Sequence, residues 1–470
     1  MSSLTPFLLD DTIAAIATPT GEGGIGIIRL SGPEAIRIAD RIFFSPGNKK
    51  LIHAKSHTIT YGFVINPETG DKIDEVLITL MRAPKTYTRE DVVEINCHGG
   101  RIPLSSSLQL VLKEGARLAG PGEFTRRAFL NGRIDLSQAE AVIDVITAKT
   151  EQAERLALKQ LEGGLSGRII AFREKTTALC AHIEAYIDFP ESEIESMTKN
   201  EMICSMREIE AGLTELSRGY DEGRFFREGA SLAIVGKPNV GKSSLLNALL
   251  QKDRAIVTDM PGTTRDVIED FLNVSGLPLR VMDTAGIRES HDLAEIEGVK
   301  RSLKAIEGAD IVLAVLDAGR PFDEADREII DRVSGRKTIV VINKTDLQPS
   351  SFNLPFTRHP CVRVSALKEQ GIDDLKSLIF SLLVNRGLSG KESFGSTTED
   401  LLVTNLRHKR SIDNALQSLQ RAAETFEQGE PLEVTALFLR ESLDYLGEIV
   451  GTVTTEDILN IIFGEFCIGK

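Results

Sequence analysis

The sequence predicts a protein of mixed α/β and α class, because three kinds of segment follow one another along its 470 residues. Short β-rich runs separated by turn residues come first. Two later stretches contain few Gly or Pro residues, as helices do. Between those stretches, continuous apolar runs alternate with polar loops and helical pattern, which is typical of a parallel sheet covered by helices. We therefore expect an N-terminal α+β domain at 1–122, a helical domain made of 123–228 and 387–470, and an α/β domain inserted at 229–386.

The N-terminal segment has the pattern of strands joined by turns. Residues 25–30 and 76–80 are rich in branched apolar side chains. Turn sequences separate such runs, namely GEGG at 21–24, Asn66-Pro67 and Pro121-Gly122. This alternation predicts short strands.

The helical stretches are recognised by their periodicity. Ala139, Val142 and Ile146 recur at i, i+3 and i+7 within residues 136–160, which few Gly or Pro residues interrupt. Gly163-Gly164 predicts a helix end or a kink. Residues 401–461 have the same helical character, and the Gly/Ser-rich segment 387–398 predicts a linker. Two helical stretches that flank one insert could pack together as a single domain.

Composition limits the possible functions. The formal net charge is -14, so we expect any contact with RNA to be local or carried by a partner. The five cysteines show no close pairing and no CxxC spacing, which argues against a disulfide framework and a zinc site. No stretch has the ~18 consecutive apolar residues of a membrane span, and no signal peptide is recognisable. We expect a cytoplasmic protein, in a reducing compartment and without membrane attachment.

The strongest motif is GKPNVGKS at 236–243, which matches GxxxxGK[ST] between a predicted strand at 232–235 and a helical pattern. The backbone N–H groups of such a loop cradle phosphates. Lys242 is expected to neutralise phosphate charge, and the Ser243 hydroxyl to bind Mg²⁺. The nucleotide-binding residues predicted here are Asn239, Val240, Gly241, Lys242, Ser243 and Ser244.

Two further motifs follow predicted strands. The sequence Asp283-Thr284-Ala285-Gly286 can hold Mg²⁺ through water and bring a Gly N–H to the γ-phosphate. The sequence Asn343-Lys344-Thr345-Asp346 selects the base, because the Asp346 carboxylate can accept hydrogen bonds from guanine N1–H and the 2-amino group. Adenine lacks these donors, so the site should reject ATP. Ser365 and Ala366, after the predicted strand at 362–364, would complete a guanine pocket. The inserted domain is thus predicted to be a Ras-like P-loop GTPase domain.

Between the first two motifs lies a polar segment with the character of a switch. Thr264 is the preferred second Mg²⁺-binding hydroxyl, and Thr263 is its competitor by position. The residues of this segment predicted to contact nucleotide are Thr258, Asp259, Met260, Pro261, Gly262, Thr263 and Thr264.

Hydrolysis needs a polar group that the expected position does not supply. Many Ras-like GTPases carry Gln directly after the DxxG glycine, but this chain has Ile287. The residues that could replace the Gln are Arg288, Glu289, His291, Asp292, Glu295 and Glu297. Transition-state charge could be met by a partner's arginine or by a monovalent cation. The amide oxygen of Asn239 suits a hard cation, although Asn239 could equally be a turn former.

The whole chain resembles the MnmE (TrmE) family of tRNA-modifying GTPases, which belongs to the TrmE-Era-EngA-YihA-Septin-like GTPases. The resemblance rests on the following sequences: DTIAAIATPTGEGGIGIIRLSG at 11–32, EDVVEINCHGG at 90–100, PGEFTRRAFLNGRIDLSQAEA at 121–141, TDMPGTTRD at 258–266 and FCIGK at 466–470. They lie in all three predicted regions.

The resemblance implies an N-terminal domain that binds 5-formyl-tetrahydrofolate, or a related one-carbon donor, and that forms a homodimer. It also implies a flavin-containing partner, MnmG (GidA), with which the GTPase adds a carboxymethylaminomethyl group to C5 of the wobble uridine of certain tRNAs. The flavin belongs to the partner.

The resemblance also assigns roles to individual residues. It places the water-orienting acid at Glu295 and the Mg²⁺ ligands at Ser243 and Thr264. The K⁺ ligands fall on Asn239, Thr258, Met260 (through its carbonyl) and Thr263. The folate contacts fall on Arg29, Glu94, Arg133 and Lys470, and Cys467 is a thiol of possible use in the modification chemistry. The alternative hypothesis is a GTPase that acts as an assembly factor, for example on the ribosome, for which a folate pocket would have no purpose.

Overall fold

The computed structural model describes residues 10–19, 21–188, 197–252, 271–282, 306–347, 358–384 and 403–470. The chain divides into two compact units. The first contains Met1–Ile143 and Gly447–Lys470, and the second contains most of the chain between them. The domain boundaries expected from the sequence stay predictions.

The first unit is built on a seven-stranded sheet with the order β3-β4-β5-β6-β2-β1-β7. Its neighbours pair antiparallel except β1 and β7, which are parallel. Alternate residues such as Ile28, Ile78 and Ile95 are buried in its core, as the period of two requires. The strands are β1 Ile13–Ile16, β2 Gly23–Ser31, β3 Phe43–Phe44, β4 Thr58–Ile65, β5 Lys72–Met81, β6 Val92–Gly99 and β7 Arg117–Leu118.

The strands predicted at 25–30 and 76–80 are therefore confirmed. Helices α1 Ala35–Arg41 and α2 Arg101–Lys113 contribute to the same core, together with a 3₁₀ turn at Leu51–His53. Residues of both helices thus belong to the same apolar core as the inward-facing residues of the sheet.

The predicted helical stretch at 136–160 is confirmed as helical but is divided in two. Helix α3 spans Glu123–Leu130, α4 Leu136–Thr147 and α5 Glu151–Leu161. The division arises because the side chain of Thr150 caps α5 by accepting a hydrogen bond from the amide of Ala153. Helix α6 Gly164–Asp188 follows Gly163, whose φ of +94° confirms the predicted helix end. Helix α7 spans Lys199–Glu228.

The second unit contains a six-stranded sheet with the order β13-β12-β11-β8-β10-β9, parallel except for the β9–β10 hairpin. The predicted strands at 232–235 and 362–364 correspond to the first and the last strand of this sheet along the chain, so the parallel-sheet prediction is confirmed. Its elements are β8 Ala230–Val235, α8 Lys242–Lys252, β9 Phe271–Val274, β10 Leu277–Val281, β11 Ile311–Asp317, α9 Glu324–Arg332, β12 Thr338–Asn343, β13 Cys361–Arg363 and α10 Ile372–Leu383.

The last part of the chain is helical, as predicted. Helix α11 spans Leu406–Gln428, α12 Leu432–Val450 and α13 Glu456–Gly464. Helix α11 packs along α7, where the Ser217 hydroxyl donates to the Asp413 carboxylate at 2.5 Å. Helix α13 packs its Leu459 and Phe463 against α3 and α4 in a small apolar core of the first unit. Within the described ranges, no helix is long and apolar enough to cross a bilayer.

Candidate functional site

The loop between β8 and α8 has the strand–loop–helix setting that its sequence predicts. Two glycines are required by close approach. A Cβ on Gly236 would lie 2.5 Å from the carbonyl oxygen of Val315, and one on Gly241 would lie 2.3 Å from Nδ2 of Asn343. Both have positive φ, +153° and +94°. The loop is therefore seated on the ends of β11 and β12, which fixes its position at the carboxyl edge of the sheet.

Lys242 begins α8 and reaches back over the loop. Its Nζ donates to the carbonyl oxygens of Gly236 and Lys237, each at 2.8 Å. Burial lowers the pKa of Lys242, since it disfavours the charged ammonium. A bound phosphate would favour the charged ammonium of Lys242. The amides at the start of α8 also favour an anion at this position. Ser243, the predicted magnesium ligand, and Ser244 are exposed in the same helical turn.

Asn343 connects the phosphate loop to the predicted base loop. The residue is 2% exposed. Its Nδ2 donates to the carbonyl of Val240 at 2.9 Å, and its Oδ1 accepts from the amide of Ala366 at 3.0 Å. Residues more than a hundred positions apart are thus joined by one amide, and the predicted phosphate and base loops form one site.

Lys344 lies beside this bridge in a left-handed conformation, with φ of +64°. Its Nζ donates to the carbonyl of Asn239 at 2.6 Å and to the carboxylate of Asp317 at 2.7 Å. Asp317 is buried at the end of β11 and was not singled out in the sequence. The signal that could have identified it is a single acid at the end of an otherwise continuous apolar strand, at the carboxyl edge of the sheet.

Asp346, the predicted base-reading acid, is held by its neighbour. The hydroxyl of Ser365 donates to Asp346 Oδ1 at 2.6 Å, and this hydrogen bond is the main reason why the pKa of Asp346 lies below its usual value. Ser365 is fully buried. Asp346 is therefore ionised at neutral pH and acts only as a hydrogen-bond acceptor, as recognition of guanine requires.

The first unit brings the four predicted folate contacts into one region. Arg29 on β2 is directly opposite Glu94 on β6, and its Nε donates to the Glu94 carboxylate at 2.9 Å. The other end of the guanidinium donates to the carbonyl of Gly469 at 3.3 Å. Lys470 follows at once, and its pKa is lowered first by burial and then by the charge of Arg29.

Arg133 joins this cluster through an aromatic ring. Its guanidinium carbon lies 4.8 Å from the ring centroid of Tyr87, and that of Arg29 lies 5.7 Å from the same centroid. Tyr87 also shares a hydrogen bond of 2.9 Å with the hydroxyl of Thr125. Sequence reasoning missed Tyr87, because an isolated tyrosine in a polar loop gives no signal of its position.

The C-terminal segment is fixed to the first unit by its backbone. The amide of Gly122 donates to the carbonyl of Cys467 at 3.4 Å, and that of Phe124 donates to the carbonyl of Lys470 at 3.2 Å. Gly469 has φ of +99°, and a Cβ there would lie 2.3 Å from the carbonyl oxygen of Ile16. The segment therefore reaches the sheet only with glycine at 469. The thiol of Cys467 is free and exposed.

Comparison with known proteins agrees with this architecture. The model of the MnmE helical domain matches residues 136–467, and that of the GTP-binding protein TrmE N-terminus matches residues 12–133. A protein named tRNA modification GTPase MnmE from Acetivibrio thermocellus is 48% identical over 465 residues, which are 98% of this chain and 99% of the relative. The chain belongs to the MnmE family. Relatives of the same name from Alkaliphilus oremlandii and Bacillus pumilus are each 48% identical, over 98% of this chain and 100% of their own.

A buried charge network supports the N-terminal region of this MnmE-family chain. Arg127 on α3 is 3% exposed at its side chain and pairs with Asp11, Glu90 and Glu123. Arg117 donates to Asp11 and Glu123 at 2.6 Å each. Removing one partner from such a network leaves an uncompensated buried charge. The network thus holds α3, and with it the C-terminal segment, against the sheet.

Some predicted site residues of this MnmE-family chain lie outside the described ranges. Their assignments stay predictions. They are Thr258, Asp259, Met260, Pro261, Gly262, Thr263 and Thr264, then Asp283, Thr284, Ala285 and Gly286, and the acid Glu295 with the other candidates between 288 and 297.

Proposed function

We propose that this chain is a GTP hydrolase that acts in tRNA modification. The observation that carries the proposal is the Asn343 bridge, which makes one site of a phosphate loop and a guanine-type base loop. It occurs in a chain whose relatives, over nearly their whole length, are named tRNA modification GTPases.

In the proposed complex, Lys242 binds the phosphates and Asp346 recognises the base. Lys242 leaves its two loop carbonyls and neutralises the β- and γ-phosphates, while the amides at the start of α8 donate to phosphate oxygens. Asp346 accepts from guanine N1–H and the 2-amino group. Adenine offers this carboxylate neither of these donors, so ATP is rejected.

The donor set fits Mg²⁺ and K⁺. Ser243 is an exposed residue at the start of α8, and we propose its hydroxyl and that of Thr264 as the two hydroxyl ligands of Mg²⁺. Asn239 has φ of +64° and an exposed side chain, while its carbonyl accepts from Lys344. The left-handed turn therefore directs the backbone to Lys344 and leaves the amide oxygen to bind K⁺, with Thr258, Met260 and Thr263 as further ligands. Bound cations supply positive charge to the transferring phosphoryl group.

The reaction is attack of water on the γ-phosphorus. A bond from the water oxygen to phosphorus forms, and the bond from phosphorus to the β–γ bridging oxygen breaks, which gives GDP and phosphate. Glu295 is proposed to orient the water, because Ile287 stands where other GTPases have Gln.

The first unit is proposed to bind 5-formyl-tetrahydrofolate. Arg29, Arg133 and Lys470 offer positive charge to its carboxylates, Glu94 accepts from pterin N–H groups, and Tyr87 offers a ring face. These groups lie in one region at the junction of the sheet and the C-terminal segment.

The same sheet face supports a homodimer. Thr79 and Ile59 continue the row of Arg29 and Glu94 across the paired strands, and Tyr61 pairs with Leu77 beside them. Ile59, Tyr61 and Leu77 are 66%, 48% and 46% exposed. An apolar patch of this kind on a sheet face favours a protein partner, and a second copy of this chain is the partner proposed.

The complete activity requires a flavin-containing partner, MnmG. Together the two proteins add a carboxymethylaminomethyl group to C5 of the wobble uridine of certain tRNAs. The formal net charge is -14, so we expect contact with RNA to be local or shared with the partner.

The decisive test is nucleoside mass spectrometry of tRNA from a strain that lacks this gene. Complementation with the natural gene should restore the wobble aminomethyl-uridine derivative, and a Lys242→Met gene should not. An unchanged nucleoside profile in the deletion strain would refute the modification role and favour an assembly factor. Hydrolysis by the purified chain should be faster in KCl than in NaCl at equal ionic strength, and equal rates would remove K⁺ from the mechanism.

A further inference from the structure

Lys237, the second residue of the phosphate loop, joins two parts of the GTPase domain. Its carbonyl oxygen accepts from the Nζ of Lys242 at 2.8 Å. Its own Nζ lies 2.7 Å from Asp323 and 2.8 Å from Asp326, two carboxylates at the start of α9. One residue therefore contacts the phosphate-binding lysine through its backbone and α9 through its side chain.

The two aspartates also cap α9. The Asp323 carboxylate accepts from the amide of Asp326 at 3.1 Å, and the Asp326 carboxylate accepts from the amide of Asp323 at 3.3 Å. This reciprocal pair is a capping box. The capping hydrogen bonds thus orient both carboxylates independently of their contacts with Lys237.

The capping hydrogen bond uses only Oδ2 of the Asp326 carboxylate. The side chain of Asp326 is 6% exposed, and within the described part of the chain its Oδ1 has no hydrogen-bond partner. The ammonium of Lys237 compensates this buried carboxylate. Because loss of that cation would leave a buried charge uncompensated, the contact is favoured strongly over solvation of Lys237.

We propose that Lys237, Asp323 and Asp326 form a clamp that positions the phosphate loop, with Lys237 as the positioning residue for GTP binding. The proposal rests on the GTP site proposed above. Fixing the side chain of Lys237 fixes the peptide whose carbonyl holds Lys242. The loop then enters the complex already ordered, which reduces the entropy lost on binding. The clamp also directs the second ammonium of the loop to α9, so that Lys242 alone meets the phosphates.

The clamp can be tested on the full chain by measuring the dissociation constant of GTP together with the urea-unfolding midpoint. Lys237→Met removes the cation, and Lys237→Arg keeps it. Asp323→Asn removes a charge but keeps a good N-cap residue. Arg332→Met is the matched control, because Arg332 pairs with Glu328 on the same helix at 2.5 Å.

We expect Lys237→Met to raise the GTP dissociation constant about tenfold, as loss of a charge-assisted hydrogen bond does, at a temperature where every variant is folded. Lys237→Arg should stay within roughly threefold of the natural chain, and Arg332→Met should not change it. Asp326→Asn should weaken binding in the natural chain but add nothing to Lys237→Met, because both break the same clamp.

Three results would overturn the clamp. The first is a GTP affinity within twofold of the natural chain in a folded Lys237→Met protein. The second is full additivity of Lys237→Met and Asp326→Asn in their effects on the free energy of GTP binding. A lower unfolding midpoint with unchanged affinity would show a capping role only. If Lys237→Met does not fold, Asp326→Asn decides the question by the same criterion, because it removes the buried partner of Lys237. Failure of the natural chain to bind GTP would refute the proposed function instead.

Discussion

Replacing Asn343 with Ala should damage stability and nucleotide binding together, because one side chain supports both. The change removes hydrogen bonds to the carbonyl of Val240 and from the amide of Ala366, which are both buried contacts. Each lost hydrogen bond costs about 1 kcal/mol, and a buried group left without a partner costs about 1–3 kcal/mol. We therefore expect a loss of roughly 2–4 kcal/mol, some of it relieved by water that enters the vacated space.

The assay is urea unfolding of the nucleotide-free chain, followed by titration with GTP and GDP. If binding must supply the whole of this free energy to order the two loops, affinity for both nucleotides falls by about 30- to 700-fold, at about 1.4 kcal/mol for each tenfold. Asn247→Ala on the exposed face of α8 is the matched control and should change stability by less than about 0.5 kcal/mol. Unfolding free energy and affinity both equal to those of the control would refute the bridge as the connection between the loops.

Further changes test the other assignments. Asp346→Asn should lower the preference for GTP over ATP by about 10²-fold or more, measured by competition, since the amide presents a donor where guanine also presents donors; an unchanged preference would refute base reading. Glu295→Ala should keep GTP affinity and lose most hydrolysis, and unchanged turnover would mean that another acid acts. Arg29→Gln should weaken 5-formyl-tetrahydrofolate binding at least tenfold by calorimetry, with Arg37→Gln, on the surface of α1, as control. The pKa of Lys242 is lowered in the folded chain, so the unfolded chain binds more protons between that pKa and the ordinary 10.5. The free energy of unfolding should therefore rise with pH through that window, and the rise should disappear in Lys242→Met.

Local pattern was sufficient for the strands and helices around the nucleotide site. Residues 232–235 are continuous apolar sequence because β8 is covered on both faces, and the glycines that follow mark a loop of unusual conformation. The break between α4 and α5 was not foreseen. Thr150 has modest helix propensity, and its side chain caps α5 and donates to the carbonyl of Gly276, a contact set by tertiary packing.

The residues that support the sites were harder to predict than the residues that form them. Asp317 and Tyr87 carry no motif, and their roles depend on Lys344 and Arg133, which are distant in sequence. Arg127 looks like one of many surface arginines until it is placed against Asp11 and Glu90. Such roles follow from pairing in space, which periodicity cannot encode.

The sequence by itself determined the GTPase motifs, the strand and helix pattern around them and the family resemblance, because these depend on spacing along the chain. The tertiary structure decided which distant residues meet. It placed Lys470 beside Arg29 through Gly469, and it joined Val240 to Ala366 through Asn343. The physical reason is that hydrogen bonds and burial act over a few ångströms in space, whatever the separation along the chain.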